Sequence, residues 1–535
     1  MKIQIYIGNS YSQISQRIPE VIKACTLQQA YYQQTIPHDI LSIVKRARWY
    51  KGTASQLKGY IDKLISQLDI SDPIDSSYLA KIVSENKDFY ALNKKLYGIY
   101  GKPERKVRQR IYYRNSDNSF PTGWLFSKII PVLKQLNLEY ELIDKRQSLE
   151  YKLLNIELPF GLREYQKVAI DKAVKTERGI LHLPTGSGKT AIAAMILAQF
   201  GLPTLYIVPS LLLIEQTVKE FRKWFKDDIV GMIGEGVVDV KLINVATQQT
   251  LWSRHKTDLF KQLVENTKVL IIDEAHKVEK PQARSKHLGN TWYRVAMQME
   301  NARIRLALTA TPGKEGQYSR ELLEGVTGRI IYRISVSELI KLGYLSPVKV
   351  YIYEVPVERT SRKWKEAYSV GILNNTARNI IIAKLARKYA EQGKRVLVVV
   401  DRITSHGQRL YSLLSDCAEV LYGNANRKRR AEVLQAFKTR KVPVLISTLI
   451  KEGVDIPELE VVILANAGKG GENGRKLLQT IGRGLRIASG KQEAIIIDFF
   501  DKDKGLLQKH SRERIRKYKE EEMFEIEYKT MGALT

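Results

Sequence analysis

LPTGSGKT, Leu183 to Thr190, is the stretch on which the fold turns. It follows an apolar pentapeptide, GILHL, and runs into AIAAMILAQF, which reads as a helix. Strand, glycine-rich loop and helix in that order make a cradle for phosphate. Gly186 and Gly188 let the backbone curl until its N–H groups face an anion beside a helix N-terminus. On this reading Thr185, Gly186, Ser187 and Gly188 line the loop. Lys189 neutralises the phosphates of a nucleoside triphosphate, and the Thr190 hydroxyl ligates Mg2+. The generic pattern has glycine where this chain has Leu183. Taken alone, the stretch also fits an ordinary glycine-rich turn before a helix.

A second motif narrows the choice. VLIIDEAH, Val269 to His276, is four apolar residues followed by Asp273 and Glu274. A buried strand ending in adjacent carboxylates puts charge at the carboxyl edge of a parallel sheet, where such sheets bind ligands. Asp273 is expected to hold Mg2+, and Glu274 to orient and deprotonate an attacking water. Acidic residues at a strand end are often only a solvated loop. Their pairing with a phosphate loop gives them chemistry.

Around these motifs the chain has a repeating texture. GILHL, TLYIVP, LINVAT, VLIID and RLALTA form one series of short apolar segments, each followed by a polar loop and a helix-period stretch. RVLVVVD, EVLYG, VLISTLI, VVILAN and AIIIDFF form a second. Buried parallel strands alternating with helices give this pattern. The expected fold class is therefore α/β, with two tandem parallel-sheet lobes, a small α+β domain before them and a short helical tail. The expected boundaries are 1–150 for a nucleic-acid-binding domain, 151–343 and 344–501 for the lobes, and 502–535 for a basic tail. GYLSP, from Gly343 to Pro347, breaks a helical pattern at the join of the lobes.

The chain has 535 residues, too many for one core, and its 44% apolar content suits a globular protein. Its net charge of +30 calls for a polyanionic partner, of which nucleic acid is the foremost. No apolar run approaches the roughly 18–20 residues of a membrane span. MKIQIYIGNS alternates like a strand and lacks the apolar run of a signal peptide, so a cytoplasmic location is expected. Cys25 and Cys417 lie far apart without ligand spacing and read as reduced thiols.

Four further motifs carry a resemblance. LREYQ (Leu162–Gln166) precedes the phosphate loop, LALTATP (Leu306–Pro312) follows VLIIDEAH, and STLIKEGVDIP (Ser447–Pro457) and QTIGRGLR (Gln479–Arg486) occur in the second series. In this order, over about residues 158–500, the chain resembles the superfamily 2 helicases, whose lobes are RecA-like. The resemblance implies that Arg163 and Gln166 read adenine, a Gln amide being able to donate and accept together. It implies that Thr309 and Thr311 couple hydrolysis to movement, that Thr448 meets a backbone phosphate, and that Gly453 and Asp455 face the nucleotide. Gln479, Arg483 and Arg486 then complete the ATP site from the second lobe, the arginines acting on the γ-phosphate. Pro209, Ser210, Thr247, Gln248 and Gly423 match the family's strand-gripping positions.

Residues 97–114, YGIYGKPERKVRQRIYYR, place Lys102, Arg105, Lys106, Arg108 and Arg110 among tyrosines. Alternation from Lys106 to Arg114 predicts a strand with one basic face, for phosphates, and tyrosines that stack on bases or pack beneath. KRARWYK (Lys45–Lys51) is a second basic-aromatic cluster. With the loop, helix and strand read from PTGWLFSKIIPVLKQLNLEYELID, this succession resembles the duplex-binding domain of phage branch-migration helicases, the UvsW-like group. The stretch between Ala54 and Lys94 has no counterpart in that pattern. The lobes also resemble XPB-like and RecG-like translocases. The resemblance implies ATP and Mg2+ as cofactors, DNA as partner, no membrane, and a monomer remodelling branched DNA. The alternatives are a restriction or defence motor, an RNA helicase, and a scaffold with a decayed ATPase.

Overall fold

The computed structural model describes residues 2–33, 38–50, 52–66, 75–85, 92, 96–97, 104–275, 291–313, 315–357, 361, 363–422, 427–448, 459–468, 493–503 and 505–530. Thr26–Tyr112 forms one compact unit, and the segments before and after it belong to another.

In the larger unit, the five strands read from the first series are joined by Val230–Gly234, Val237–Asp239 and Ile330–Arg333 in an eight-stranded sheet. Its order is Val237–Asp239, Val230–Gly234, Ile243–Thr247, Thr204–Val208, Val269–Ile272, Ile304–Thr309, Arg178–His182 and Ile330–Arg333. Every pairing is parallel except that of the hairpin strand Val237–Asp239. Four of these strands, Thr204–Val208, Ile243–Thr247, Val269–Ile272 and Ile304–Thr309, are buried at every residue. That burial on both faces explains why their sequences run apolar without alternation.

The five strands of the second series join Val348–Pro356 and Phe524–Lys529 in a seven-stranded, wholly parallel sheet. Its order is Ala418–Leu421, Val444–Ser447, Val396–Val399, Val461–Leu464, Ala494–Lys502, Val348–Pro356 and Phe524–Lys529. The helix Val336–Lys341 starts at a reciprocal Ser335–Glu338 capping box. It stops before Gly343, whose φ of +71° few other residues adopt easily, and the second sheet begins at Val348.

The stretch read as a basic tail is the helix Leu506–Lys519 followed by the edge strand Phe524–Lys529. Only one face of that helix is basic and solvated, with Arg512, Arg516 and Lys519 exposed. Arg514 points inward and grips Asp498 with Nε at 2.8 Å and Nη2 at 3.0 Å, while the Tyr518 hydroxyl donates to the same carboxylate. A second internal pair, Arg378 with Asp501 at 3.0 Å, is fully buried. Removing one partner of such a pair strands the other charge, at a cost of about 3–5 kcal/mol.

The N-terminal sheet orders Ser119–Pro121, Tyr11–Ile14, Ile3–Ile7 and Tyr140–Asp144. Ile3, Ile5 and Ile7 alternate inward, as the opening residues predict. Buried side chains seat it on the first lobe. The Trp124 indole N–H donates to the Glu321 carbonyl at 2.8 Å, and Lys128 pairs with the Glu321 carboxylate. Arg305, fully buried, donates to the carbonyls of Ala302, Ala296 and Met299 and to the Ser10 hydroxyl.

In the smaller unit, Thr26–Gln33 pairs antiparallel with Glu104–Ile111, so the basic segment is indeed a strand, ending before Arg114. The helices His38–Ala47, Ala54–Ser66 and Ser76–Glu85 share a core containing Ile40, Ile43, Val44, Ile61 and Leu79. Arg110 is only 9% exposed, whereas its neighbours Gln109 and Ile111 are exposed, so the face bearing Arg110 turns inward at this end. Tyr112 is buried, which favours packing over stacking for this ring, and Trp49 of the second cluster is exposed.

A methyl group on Gly123 would stand 1.9 Å from the Glu324 carbonyl oxygen, because the N-terminal sheet's helical turn lies directly on the helix Tyr318–Thr327. Gly123→Ala is expected to cost about 2 kcal/mol by overpacking and to lower the thermal midpoint by about 2 °C. A scanning-fluorimetry midpoint equal to that of the unmodified protein would contradict this close approach.

Candidate active site

The strand Arg178–His182 delivers the phosphate loop to the carboxyl edge of the first sheet. Leu183 is buried and its N–H donates to the Thr309 carbonyl at 2.9 Å. It therefore continues the strand pairing, which accounts for an apolar residue where the generic motif has glycine. Gly186 and Gly188 have φ of +89° and +78°, and the helix Lys189–Phe200 follows.

LREYQ holds this loop from beneath. The Gln166 amide donates to the Ser187 carbonyl at 3.0 Å and accepts from the Arg163 N–H at 2.9 Å; the Tyr165 hydroxyl donates to the same carbonyl at 2.7 Å. A Cβ at Gly188 would stand 2.5 Å from the Gln166 amide nitrogen, so glycine is required there for space as well as conformation. Both ends of the Gln166 amide are thus engaged by the protein. In this structure Gln166 positions the loop. Arg163 lies over the Tyr344 ring at 4.5 Å, and Tyr165 and Tyr344 are ring neighbours at 5.4 Å.

The strand Val269–Ile272 brings the two carboxylates to the same edge. Lys189 Nζ is 3.6 Å from the Glu274 carboxylate and 3.5 Å from the Leu183 carbonyl. The Glu274 N–H donates to the Asp273 carboxylate at 2.7 Å, which helps hold Glu274 at a φ of +45°. A non-glycine residue kept in that region is strained, and such strain gathers at functional sites. Asp273 is 8% exposed; burial, then the neighbouring Glu274 charge, pushes its carboxyl up to about 6. Burial, then Asp273, pushes the adjoining Tyr206 phenol well up, so it stays a neutral neighbour.

Thr309 and Thr311 end the strand between these two, with the Thr311 N–H donating to the Thr309 hydroxyl at 3.1 Å. His182 Nε2 meets the Ala310 carbonyl at 3.0 Å, and since a carbonyl only accepts, that nitrogen carries the proton. Burial, then Arg333, pulls the His182 imidazole down to about 4, so it is neutral near pH 7. His182 thereby ties the phosphate loop's strand to the threonine segment.

The site fits a triphosphate and a divalent cation. It has two left-handed glycines before a helix N-terminus, a lysine at the first helical position, and a buried carboxyl that an added positive charge would relieve. The Ser187 hydroxyl is buried with no hydrogen-bond partner among the described residues, and so is that of Thr311.

Comparison with known proteins accords with this geometry. Residues 159–314 match the family described as "Type III restriction enzyme, res subunit", and residues 377–488 match "Helicase conserved C-terminal domain". The chain is a superfamily 2 helicase. It is 28% identical over 414 residues to the DNA 3'-5' translocase XPB2 of Sulfurisphaera tokodaii, covering 69% of this chain and 87% of that one. It is 25% identical over 430 residues to the ATP-dependent DNA helicase uvsW of Enterobacteria phage T4, covering 72% and 81%. A putative ATP-dependent RNA helicase of Acanthamoeba polyphaga mimivirus is 24% identical over 397 residues, covering 70% of each. The crystal structure of T4 UvsW aligns with 99% of each chain at a TM-score of 0.40 and 17% identity, too loosely to add to the sequence matches.

Of the helicase residues expected from sequence, Lys189, Thr190, Asp273, Glu274, Thr309, Thr311, Arg163, Gln166 and the loop Thr185–Gly188 belong to one sheet edge. Pro209, Ser210, Thr247 and Gln248 end neighbouring strands of that sheet or begin the helices that follow, and Thr448 ends a strand of the second. His276, Gly423, Gly453, Asp455, Gln479, Arg483, Arg486 and Lys102 lie outside the described residues. Sequence reasoning missed Tyr165, Tyr206, His182 and Tyr344. Each lies inside or beside a stretch already quoted, but nothing in those stretches singled it out. Among the described residues no helix is long and apolar enough to cross a membrane.

Because the Asp273 carboxyl is raised, the native protein binds this proton more tightly than the unfolded chain. Without a cation, stability from this group is present near pH 4 and lost as pH rises through about 6. Asp273→Asn, whose amide oxygen can still accept from Glu274, is expected to stabilise the metal- and nucleotide-free protein at pH 7.5, by roughly 1–3 kcal/mol. The gain should shrink towards pH 4. Thermal midpoints across that range without Mg2+ check it; a gain independent of pH would contradict the assignment.

Proposed function

We propose that this helicase is an ATP-driven DNA motor that remodels branched structures such as forks and four-way junctions. The observation that carries the reading is the meeting of Lys189 with Glu274 beside the buried Asp273, at one edge of the first of two parallel sheets. Lys189 and the loop N–H groups would hold the triphosphate. Thr190 and Asp273 would hold Mg2+, which when bound supplies positive charge to the phosphate oxygens. Glu274 would orient the attacking water and take its proton.

Gly453, Asp455, Gln479, Arg483 and Arg486 would complete the site from the second lobe; stabilising charge on the γ-phosphate is worth orders of magnitude in rate. A site divided in this way closes with nucleotide and relaxes after hydrolysis. Pro209, Ser210, Thr247, Gln248, Gly423 and Thr448 would hold one strand, so that cycling closure moves the protein along it. The phage uvsW relative, an ATP-dependent DNA helicase by name, supports DNA as the substrate, and the XPB2 relative supports translocation on it. One observation favours a second reading: the family matching the first lobe is described by a restriction subunit, and a restriction motor would need a nuclease partner.

ATPase rates with single-stranded DNA, duplex, fork, four-way junction and RNA test the proposal. The fork and junction should stimulate most; stimulation by RNA alone would select an RNA helicase. Glu274→Gln and Lys189→Ala should each lower kcat by about 100-fold or more while leaving DNA affinity within a few-fold. Retention of the unmodified rate would remove the site assignment. Neutralising Arg105, Lys106 and Arg108 together should weaken duplex binding and flatten its log–log salt dependence by about 2–3. An unchanged slope would make that strand a solvated edge.

A further inference from the structure

Beyond the gripping threonine of the first sheet lies a feature the motor motifs do not use. The strand Ile243–Thr247 ends at the carboxyl edge, and Thr247 caps the short helix Gln248–Ser253 by accepting the Thr250 N–H. At the end of that helix the rings of Trp252 and His255 lie 4.3 Å apart with 5° between their planes. The His255 Nδ1 and the Trp252 carbonyl, 2.7 Å apart, fix the imidazole in this position. The Arg294 guanidinium lies over the same indole at 3.8 Å.

Two groups this close to one indole centroid must occupy its opposite faces. The pile is therefore Arg294, Trp252, His255, in that order, and it ends in the outer face of the imidazole. No other ring or cation among the described residues stacks on that face. Trp252, His255 and Arg294 are all half-exposed, so the pile is not buried core.

Its electrical surroundings are one-sided. Arg254 and Lys256 flank His255 in sequence and, like Arg294, make no ion pair among the described residues. The next acidic residue, Asp258, is already paired with Lys261 at 3.1 Å. A flat, half-exposed ring ending a rigid stack, beside cations that make no ion pair among the described residues, has the chemistry that recognises an unpaired nucleobase and its flanking phosphates. A duplex, whose bases are stacked on one another, offers no free face to such a ring.

We infer that the Trp252–His255 pile is a stacking platform for an exposed base of a single nucleic-acid strand, with Arg254 and Lys256 serving its phosphates. This rests on the proposed reading of the protein as a nucleic-acid motor. It adds a contact that reads the flat face of a base to contacts that grip only the backbone. A platform of this kind tolerates any base, because every base has such a face.

The test compares two labelled strands of equal length, oligodeoxythymidylate and the same backbone made wholly abasic, by fluorescence anisotropy on the full chain at fixed salt. The unmodified protein should bind the thymidylate strand about tenfold or more tightly over the abasic one. His255→Ala should bring that ratio towards one, and His255→Tyr, which keeps a flat ring, should preserve most of it. Because the readout is a ratio, a partial loss of folded protein does not imitate the effect. A ratio unchanged in His255→Ala overturns the platform. A ratio near one in the unmodified protein overturns it too, while the motor reading survives if DNA still stimulates the ATPase. Failure to bind either strand, with no stimulation by any nucleic acid, overturns both.

Discussion

Two neighbouring carboxylates at the end of one buried strand, Asp273 and Glu274, impose the condition that the rest of the site meets. Charge held out of water needs a counter-charge nearby or a proton. Lys189 stands 3.6 Å from Glu274, and Asp273 answers the same pressure by holding its proton more tightly. Neither answer is complete, and that incompleteness suits a site that takes up a cation and a polyanion together. The lysine can stand there only because its loop leaves a strand two places away in the sheet, with the strand Ile304–Thr309 between them. Gln166 and Tyr165 fix the loop at one end, and His182 ties its strand to the Thr309–Thr311 segment. Parallel order, rather than sequence proximity, brings these groups together.

The excess of positive charge has two destinations in this molecule. Part of it is internal. Arg305 is buried without a carboxylate and relies on carbonyl oxygens and the Ser10 hydroxyl, fastening the N-terminal sheet to the first lobe. Arg378 and Arg514 instead neutralise Asp501 and Asp498 inside the second lobe. A guanidinium suits these places because its five donors satisfy several acceptors at once. Such arginines are among the 87 lysines and arginines of the chain but are turned inward, whereas Arg254 and Lys256 make no ion pair among the described residues. Composition alone could not separate the two kinds.

Where one local pattern decided the structure, the sequence was a sound guide. The continuous apolar runs marked strands buried on both faces, and the segments Leu183–Thr190 and Val269–Glu274 lie where a parallel sheet binds ligands. What it did not reveal depends on partners distant in the chain. The inward turn of Arg514 depends on Asp498 of the preceding strand. The tail reads as charged and helical because its outer face is both; its strand Phe524–Lys529 pairs with Val348–Pro356, far back in the sequence. Gln166 was legible as a motif residue, but its bond to the Ser187 carbonyl was not.

Strand order also arranges the site's parts in a line. Along the carboxyl edge of the first sheet the ends succeed one another as Thr247, Pro209 with Ser210, Asp273 with Glu274, Thr309 with Thr311, and the phosphate loop. The positions read as gripping a strand occupy one end, the phosphate loop the other, and the two carboxylates the middle. Adjacent parallel strands are fixed in register by their backbone hydrogen bonds, so the strand ends can shift little against one another. A change at Asp273 would therefore reach Thr247 across a single intervening strand, Thr204–Val208, and with it the helix bearing Trp252. On the proposed reading the first lobe would act as one stiff edge, and movement would come from the second lobe closing against it, because the edge itself has little freedom to bend.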